Sequence, residues 1–238
     1  AKKHKAGNVT WNRCYEPYRL YDDATIEKRL DALKINHCVF NGSYLWDPER
    51  IKKADGSYYK VFGAYKKRVR CLEVRKPLPK PENMLLMKDG SNKTKLTDLR
   101  LLPKHPWKDK IEEHWTFGEG AAQKKLNDSL ANGLPGYKKG RDYPASDQTW
   151  ESINSAGRCT APEDDVEHFL SEMVWREFSC YLMTHFKGLP SENFQVRFNA
   201  FPWESNDHFL NAWKTGTTGY PIVDAGMRQL LKTGFMHN

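Results

Sequence analysis

The chain has 238 residues, 39% hydrophobic and 29% charged, with a net charge of +8. That length supports a buried core in one large unit or two modest ones. The composition excludes a disordered tail, and no apolar run approaches the ~20 residues of a membrane-spanning helix. The basic start, Ala1-Lys-Lys-His-Lys-Ala-Gly, has no apolar stretch behind it and does not read as a secretory signal. Five widely spaced cysteines (Cys14, Cys38, Cys71, Cys159 and Cys180) form no C-x-x-C pair. They argue against a disulfide framework and structural zinc, and for a reducing, cytoplasmic setting. The histidines are scattered without paired-ligand spacing, so no metal is expected.

In chain order, Asn8-Val-Thr-Trp11 reads as a short strand. Asp22-Asp23 offers N-cap chemistry for a helix with Ile26, Leu30 and Leu33 at i, i+4 and i+7, ending near Lys34. His37-Cys-Val-Phe40 is a second apolar run, closed by the turn-prone Asn41-Gly42. Strand, helix, strand is the unit of an α/β sheet, and one such unit cannot cover both sheet faces. The first half therefore reads as the tail of a larger α/β domain. Residues 59–74 are expected to form a basic helix with Lys60, Lys66, Lys67, Arg68 and Arg70. Residues 76–110 bring Pro77, Pro79, Pro81, Pro103 and Pro106 and a polar stretch, which predicts a long connection. Beyond Trp115 the pattern is helical, with helices expected over 118–130, 166–186 and 220–231. The last has Pro221 in its first turn, Gly234 just past its end, and Val223, Met227, Leu230 and Leu231 on one face. The expected divisions are 1–75, the end of an α/β domain; 76–114, a linker; and 115–238, a helical domain.

The charge is uneven. Residues 1–110 carry 26 Lys+Arg against 13 Asp+Glu (+13), and residues 111–238 carry 12 against 17 (−5). A basic half fits nucleic acid or another polyanion as partner, and equally a solvated lysine-rich surface.

On the 166–186 helix, Val166, Phe169, Leu170, Met173, Val174 and Tyr181 share one broad apolar side. Glu172, Trp175, Arg176 and Ser179 share a separate stripe. A carboxylate, an indole and a guanidinium on one face supply an acceptor, a stacking platform and a fixed cation. The plainer alternative is an exposed stripe with a Glu172–Arg176 i, i+4 pair and a half-buried indole. Glu177 falls within the apolar side and needs a partner if buried.

Several segments are long enough to compare with known families. The first half carries Trp11-Asn-Arg-Cys-Tyr-Glu-Pro17, Ser43-Tyr-Leu-Trp46 and Tyr58-Tyr-Lys-Val-Phe62. Further along come Gly136-Tyr-Lys-Lys-Gly-Arg-Asp-Tyr-Pro144, Ser171-Glu-Met-Val-Trp-Arg-Glu-Phe178 and Ala200-Phe-Pro-Trp203. The last are Thr218-Gly-Tyr-Pro-Ile-Val-Asp-Ala-Gly-Met-Arg228 and Thr233-Gly-Phe-Met-His-Asn238. Together, and in this order, they resemble the photolyase/cryptochrome family. The Trp-Arg-Glu-Phe setting is most similar to the class I cyclobutane-dimer photolyases.

The resemblance implies a fold class: an α/β remnant, the end of a parallel-sheet antenna-type domain, followed by an incomplete all-α FAD-binding-type domain. It implies FAD as cofactor, an antenna chromophore of unidentified chemistry, and UV-damaged DNA as partner of a monomer with no membrane attachment. It implies that photoexcited reduced flavin donates an electron to a flipped-out pyrimidine dimer, which then splits. Glu172 matches the carboxylate that hydrogen-bonds the dimer bases, and Trp175 the tryptophan packed against the dimer. Arg141 matches a DNA-contacting arginine and Tyr137 a flavin-pocket tyrosine. Arg176 lies in the flavin and DNA neighbourhood. Trp203 matches the surface end of the tryptophan chain that photoreduces flavin; without the resemblance it reads as a half-buried core aromatic. Asn238 matches the asparagine beside the flavin–lesion cleft.

Three departures from the family pattern accompany the match. Against that pattern, this sequence is expected to lack the early strands of the α/β domain. The Thr-Ser-Arg-Leu-Ser run that holds the FAD phosphates is replaced by Ala145-Ser-Asp147 leading into Gln148-Thr-Trp150. The sequence stops at Asn238, before the family's later flavin-pocket residues. The expectation is an incomplete copy of a light-driven, FAD-dependent dimer-repair enzyme. The alternatives are a cryptochrome-like blue-light receptor and a non-catalytic nucleic-acid-binding remnant without flavin.

Overall fold

The computed structural model describes residues 5–79, 81–83, 95–102, 104–143 and 161–236. The chain folds into two compact units that interleave along the sequence. Unit 1 is Ala1–Pro77 with Glu167–Pro202, and unit 2 is Leu78–Val166 with Trp203–Asn238.

Unit 1 opens with strand β1 (Asn8–Asn12), helix α1 (Pro17–Ala32) and strand β2 (Asn36–Phe40). The strands pair in parallel, with Asn8 opposite Asn36 and Asn12 opposite Phe40. Both alternate between exposed and half-buried positions, the period-2 pattern of a sheet covered on one face. The expected start of α1 at Asp22-Asp23 is corrected. The helix begins at Pro17, whose ring presets φ for a first turn. Asp23 instead accepts a hydrogen bond from Trp11 Nε1 at 3.0 Å, tying α1 to β1.

Helix α2 (Phe62–Val69) is shorter than the expected 59–74. The Tyr59 N–H is held by the Tyr181 hydroxyl at 3.0 Å, which keeps that residue out of the helix. The unit 1 core gathers Ile51, Tyr65 and Val69 with Val174, Phe178 and Tyr181. The last three lie on α6 (Glu163–His185), whose first turn carries Glu163, Asp164 and Asp165. Three acids there suit the positive end of the helix dipole. Leu170, expected on the buried side of this helix, is 39% exposed. The buried stripe instead follows Phe169, Met173, Val174, Phe178 and Tyr181, and Leu170 lies at its edge.

Unit 2 is helical. Within the proline-rich stretch, α3 (Trp107–Glu112) forms directly after Pro106. Next come α4 (Glu119–Asp128), a wider π turn over Ser129–Gly133, and the one-turn α5 (Tyr137–Gly140). Helix α7 (Asp207–Thr215) has no counterpart among the sequence expectations. Helix α8 (Pro221–Thr233) follows the expected segment and ends at Gly234, with φ of 74°. A side chain at Gly234 would meet Ile111 Cδ1 at 3.1 Å, so glycine serves both the left-handed cap and the approach of α3.

Candidate functional site

In unit 1 the candidate residues stand on α6. Glu172 is half-buried, and Trp175, Arg176 and Ser179 are exposed, so the expected stripe forms on one side of the helix. Trp175 is 44% exposed, yet one face of its indole is occupied. Phe62, the first residue of α2, stacks on it with ring centroids 3.5 Å apart and planes 5° from parallel. Phe178 approaches the indole edge-on at 6.1 Å.

Arg176 donates to Glu177 Oε1 at 3.0 Å. Glu177 is 2% exposed and meets the requirement for partners, because its other oxygen accepts from Leu45 N–H at 2.9 Å. Burial pushes the Glu177 carboxyl above the usual range, and Arg176 opposes that shift. Immediately before Glu172, the Ser171 hydroxyl accepts from Lys66 Nζ at 3.1 Å. Lys66 and Arg70 both pair with Glu167, at 2.9 Å and 2.5 Å. Those two cations, Lys66 first, hold the Glu167 carboxyl below the usual range.

In unit 2, Tyr137 is 5% exposed and begins α5. The Arg141 guanidinium lies 5.8 Å from the Tyr137 ring centroid. The buried Asp165 accepts from Gly136 N–H at 2.8 Å and Lys138 N–H at 2.9 Å, fixing this turn to the start of α6. Lys138 Nζ pairs with the adjacent Asp164. Trp203 is 74% exposed and stands outside any core, unlike the half-buried aromatic that its sequence setting alone suggests. Asn238 and Trp150 lie outside the described residues, as does the 145–155 segment where the phosphate clamp is expected.

A cavity of about 570 Å³ in unit 2 is lined by Trp115, Phe235, Lys125, Asn132 and Gln229 among others. Trp115 Nε1 donates to Thr233 O at 2.7 Å, so the end of α8 forms part of its frame. The Thr218–Arg228 motif is a structural tie. Asp224 accepts from Thr218 N–H at 2.7 Å, Thr218 Oγ1 at 2.6 Å and Gly219 N–H at 3.0 Å. Those bonds, the Thr218 hydroxyl first, hold its carboxyl below the usual range. Among the described residues no cluster of three metal-ligating side chains occurs, and no helix is long and apolar enough to cross a membrane.

The stacking of Phe62 on Trp175, the capping by Asp165 and the joining of Lys66 and Arg70 by Glu167 are absent from the sequence expectations. Asp165 carries a local signal, an acid in the first turn of a helix. Phe62 ends a segment that resembles the family, but nothing local marks its stacking on Trp175, which is remote in sequence.

Residues 1–82 match the family described as DNA photolyase, and residues 169–238 match the FAD binding domain of DNA photolyase. A deoxyribodipyrimidine photo-lyase of Agrobacterium fabrum is 34% identical, the match covering 98% of this chain and 52% of that protein. The crystal structure of a bacterial class III photolyase from Agrobacterium tumefaciens superposes with a TM-score of 0.90 at 32% identity, over 100% of this chain and 53% of that one. A Synechocystis cryptochrome structure shares the fold, with a TM-score of 0.77 at 21% identity over 100% of this chain and 54% of that one. The chain thus spans about half the length of the relatives it matches.

Proposed function

We propose, from the premise that this chain belongs to the photolyase/cryptochrome family, that it carries residues for light-driven, FAD-dependent repair of cyclobutane pyrimidine dimers in DNA. The observation that carries this reading is the pairing of Glu172 with an open-faced Trp175 on one side of α6. A flipped dimer offers flat apolar rings edged by carbonyls and N–H groups. Trp175 supplies a wall for the rings, and Glu172 accepts hydrogen bonds from the base edges. Fixed acceptors of this kind also steady charge as it develops on the bases. Arg141 is assigned to a phosphate, which suits a guanidinium. Trp203, being exposed, is assigned to the solvent end of an electron relay.

The residues present fit a flavin dinucleotide in part. The buried Tyr137 ring and the Arg141 guanidinium against it offer an aromatic surface and a cation. The Gly136 and Lys138 N–H groups are already bound to Asp165, so they do not serve as phosphate donors. Tyr137, Arg176 and Asn238 are the residues assigned to the cofactor. When bound, FAD supplies the light-driven electron transfer.

Glu172→Gln is expected to lower dimer repair under blue light while leaving flavin content unchanged; unaltered repair removes its assigned role. Trp175→Ala is expected to abolish preference for dimer-containing over undamaged duplex. The first measurement is the visible absorption spectrum of the purified chain, with flavin released by denaturation and quantified. Near-stoichiometric FAD supports the enzyme reading. No flavin after incubation with excess FAD favours a nucleic-acid-binding remnant, a reading supported by the +13 balance of residues 1–110.

A further inference from the structure

Helices α2 and α6 meet along a seam in which residues four apart on one helix face residues four apart on the other. Phe62 stacks on Trp175, Lys66 bonds Ser171, and Arg70 pairs with Glu167. The two series run in opposite directions, so the helices are antiparallel along this contact. An exposed indole ordinarily exchanges between rotamers. Here Phe62 covers one face at 3.5 Å and Phe178 abuts the edge, which leaves one orientation with the other face available.

We infer that Phe62 is a positioning residue for lesion recognition: it backs the Trp175 indole and holds its plane ready for a stacked pyrimidine dimer. This rests on the lesion-binding role proposed for Trp175. Pre-ordering the platform removes an ordering cost that binding would otherwise incur. The Lys66–Glu167–Arg70 group sets the register of the seam and thereby places Phe62 opposite Trp175.

The test compares affinities for a duplex oligonucleotide containing one thymine dimer and for the same duplex undamaged, using the full chain. Phe62→Leu is expected to cut the ratio of the two affinities about 3- to 10-fold, and Phe62→Tyr to restore it. In a Trp175→Ala background, Phe62→Leu is expected to have no further effect on the ratio. A purely structural role predicts equal losses for both duplexes, and that result overturns the inference. Selectivity kept by Phe62→Leu but lost by Trp175→Ala overturns the inference and leaves the proposed function standing. Selectivity kept by Trp175→Ala, or absent from the unaltered chain, overturns both. If Phe62→Leu does not fold, Phe62→Met, which retains apolar volume, is read in the same way; failure of both to fold makes Phe62 structural and ends the proposal.

Discussion

Unit 1 buries Ile51, Tyr65, Val69, Val174, Phe178 and Tyr181 in one cluster, whereas in unit 2 Trp203, Phe209, Leu210, Trp213, Tyr220 and Ile222 remain exposed. Among the described residues of unit 2, Leu134 and Tyr137 are the large hydrophobics that become buried. The candidate residues follow the same division. Glu172 and Trp175 stand on a helix braced by packed aromatic rings. Tyr137 and Arg141 stand on a turn tied to α6 by the Asp165 carboxylate. Apolar packing holds the first arrangement and hydrogen bonding the second, so the two respond to different perturbations.

The largest expected effect is in the unit 1 core. Phe178→Ala is expected to destabilise the fold by about 3–5 kcal/mol, read as a drop in unfolding midpoint. The counterpart in unit 2, Trp213→Ala on the exposed face of α7, is expected to change stability by less than about 0.5 kcal/mol. Equal losses break the comparison.

Asp165→Ala is expected to cost about 1–3 kcal/mol by stranding the Gly136 and Lys138 amides. Hydrogen exchange at those amides is expected to accelerate while exchange in α2 stays unchanged; a uniform response removes the distinction.

Glu177 and Asp224, one carboxyl from each unit, are shifted in opposite directions. Glu177 in unit 1 is raised by burial, so the native state holds its proton to higher pH than the unfolded chain does. Its contribution to stability therefore falls as pH rises from the ordinary carboxylate value through the raised one. Asp224 in unit 2 is held low by Thr218 and Gly219, so its contribution is present above the ordinary value and lost as pH falls through the lowered one. Glu177→Gln is expected to remove the first slope and Asp224→Asn the second, as measured by denaturant unfolding across pH. A small effect, about 0–1 kcal/mol, is also expected for Arg70→Ala, because the Arg70 side chain in its pair with Glu167 is mostly exposed.

Much of the secondary structure is legible locally. Strands β1 and β2 show as short apolar runs, and α8 shows through Pro221, its apolar spacing and Gly234. Helix α7 carries signals just as local, with Phe209, Leu210 and Trp213 sharing one face, although it is absent from the sequence expectations. Asn206 caps it by accepting from His208 and Phe209 N–H, and Gly216 ends it with φ of 65°. At the beginning of α1 two local signals compete. Pro17 prevails over Asp22-Asp23, and Asp23 is engaged with Trp11 instead of capping.

By itself the sequence determined the family, the helical stripe of Glu172, Trp175 and Arg176, and the need of Glu177 for partners. Those follow from residue order and from helical periodicity, both of which are local. Tertiary structure decided that Leu45 would bind Glu177, that Asp165 would cap the Tyr137 turn, and that Phe62 would cover one face of Trp175. Each of these joins segments distant in the chain. Helical period sets which way a side chain points, and only the packing of one element on another sets what it meets.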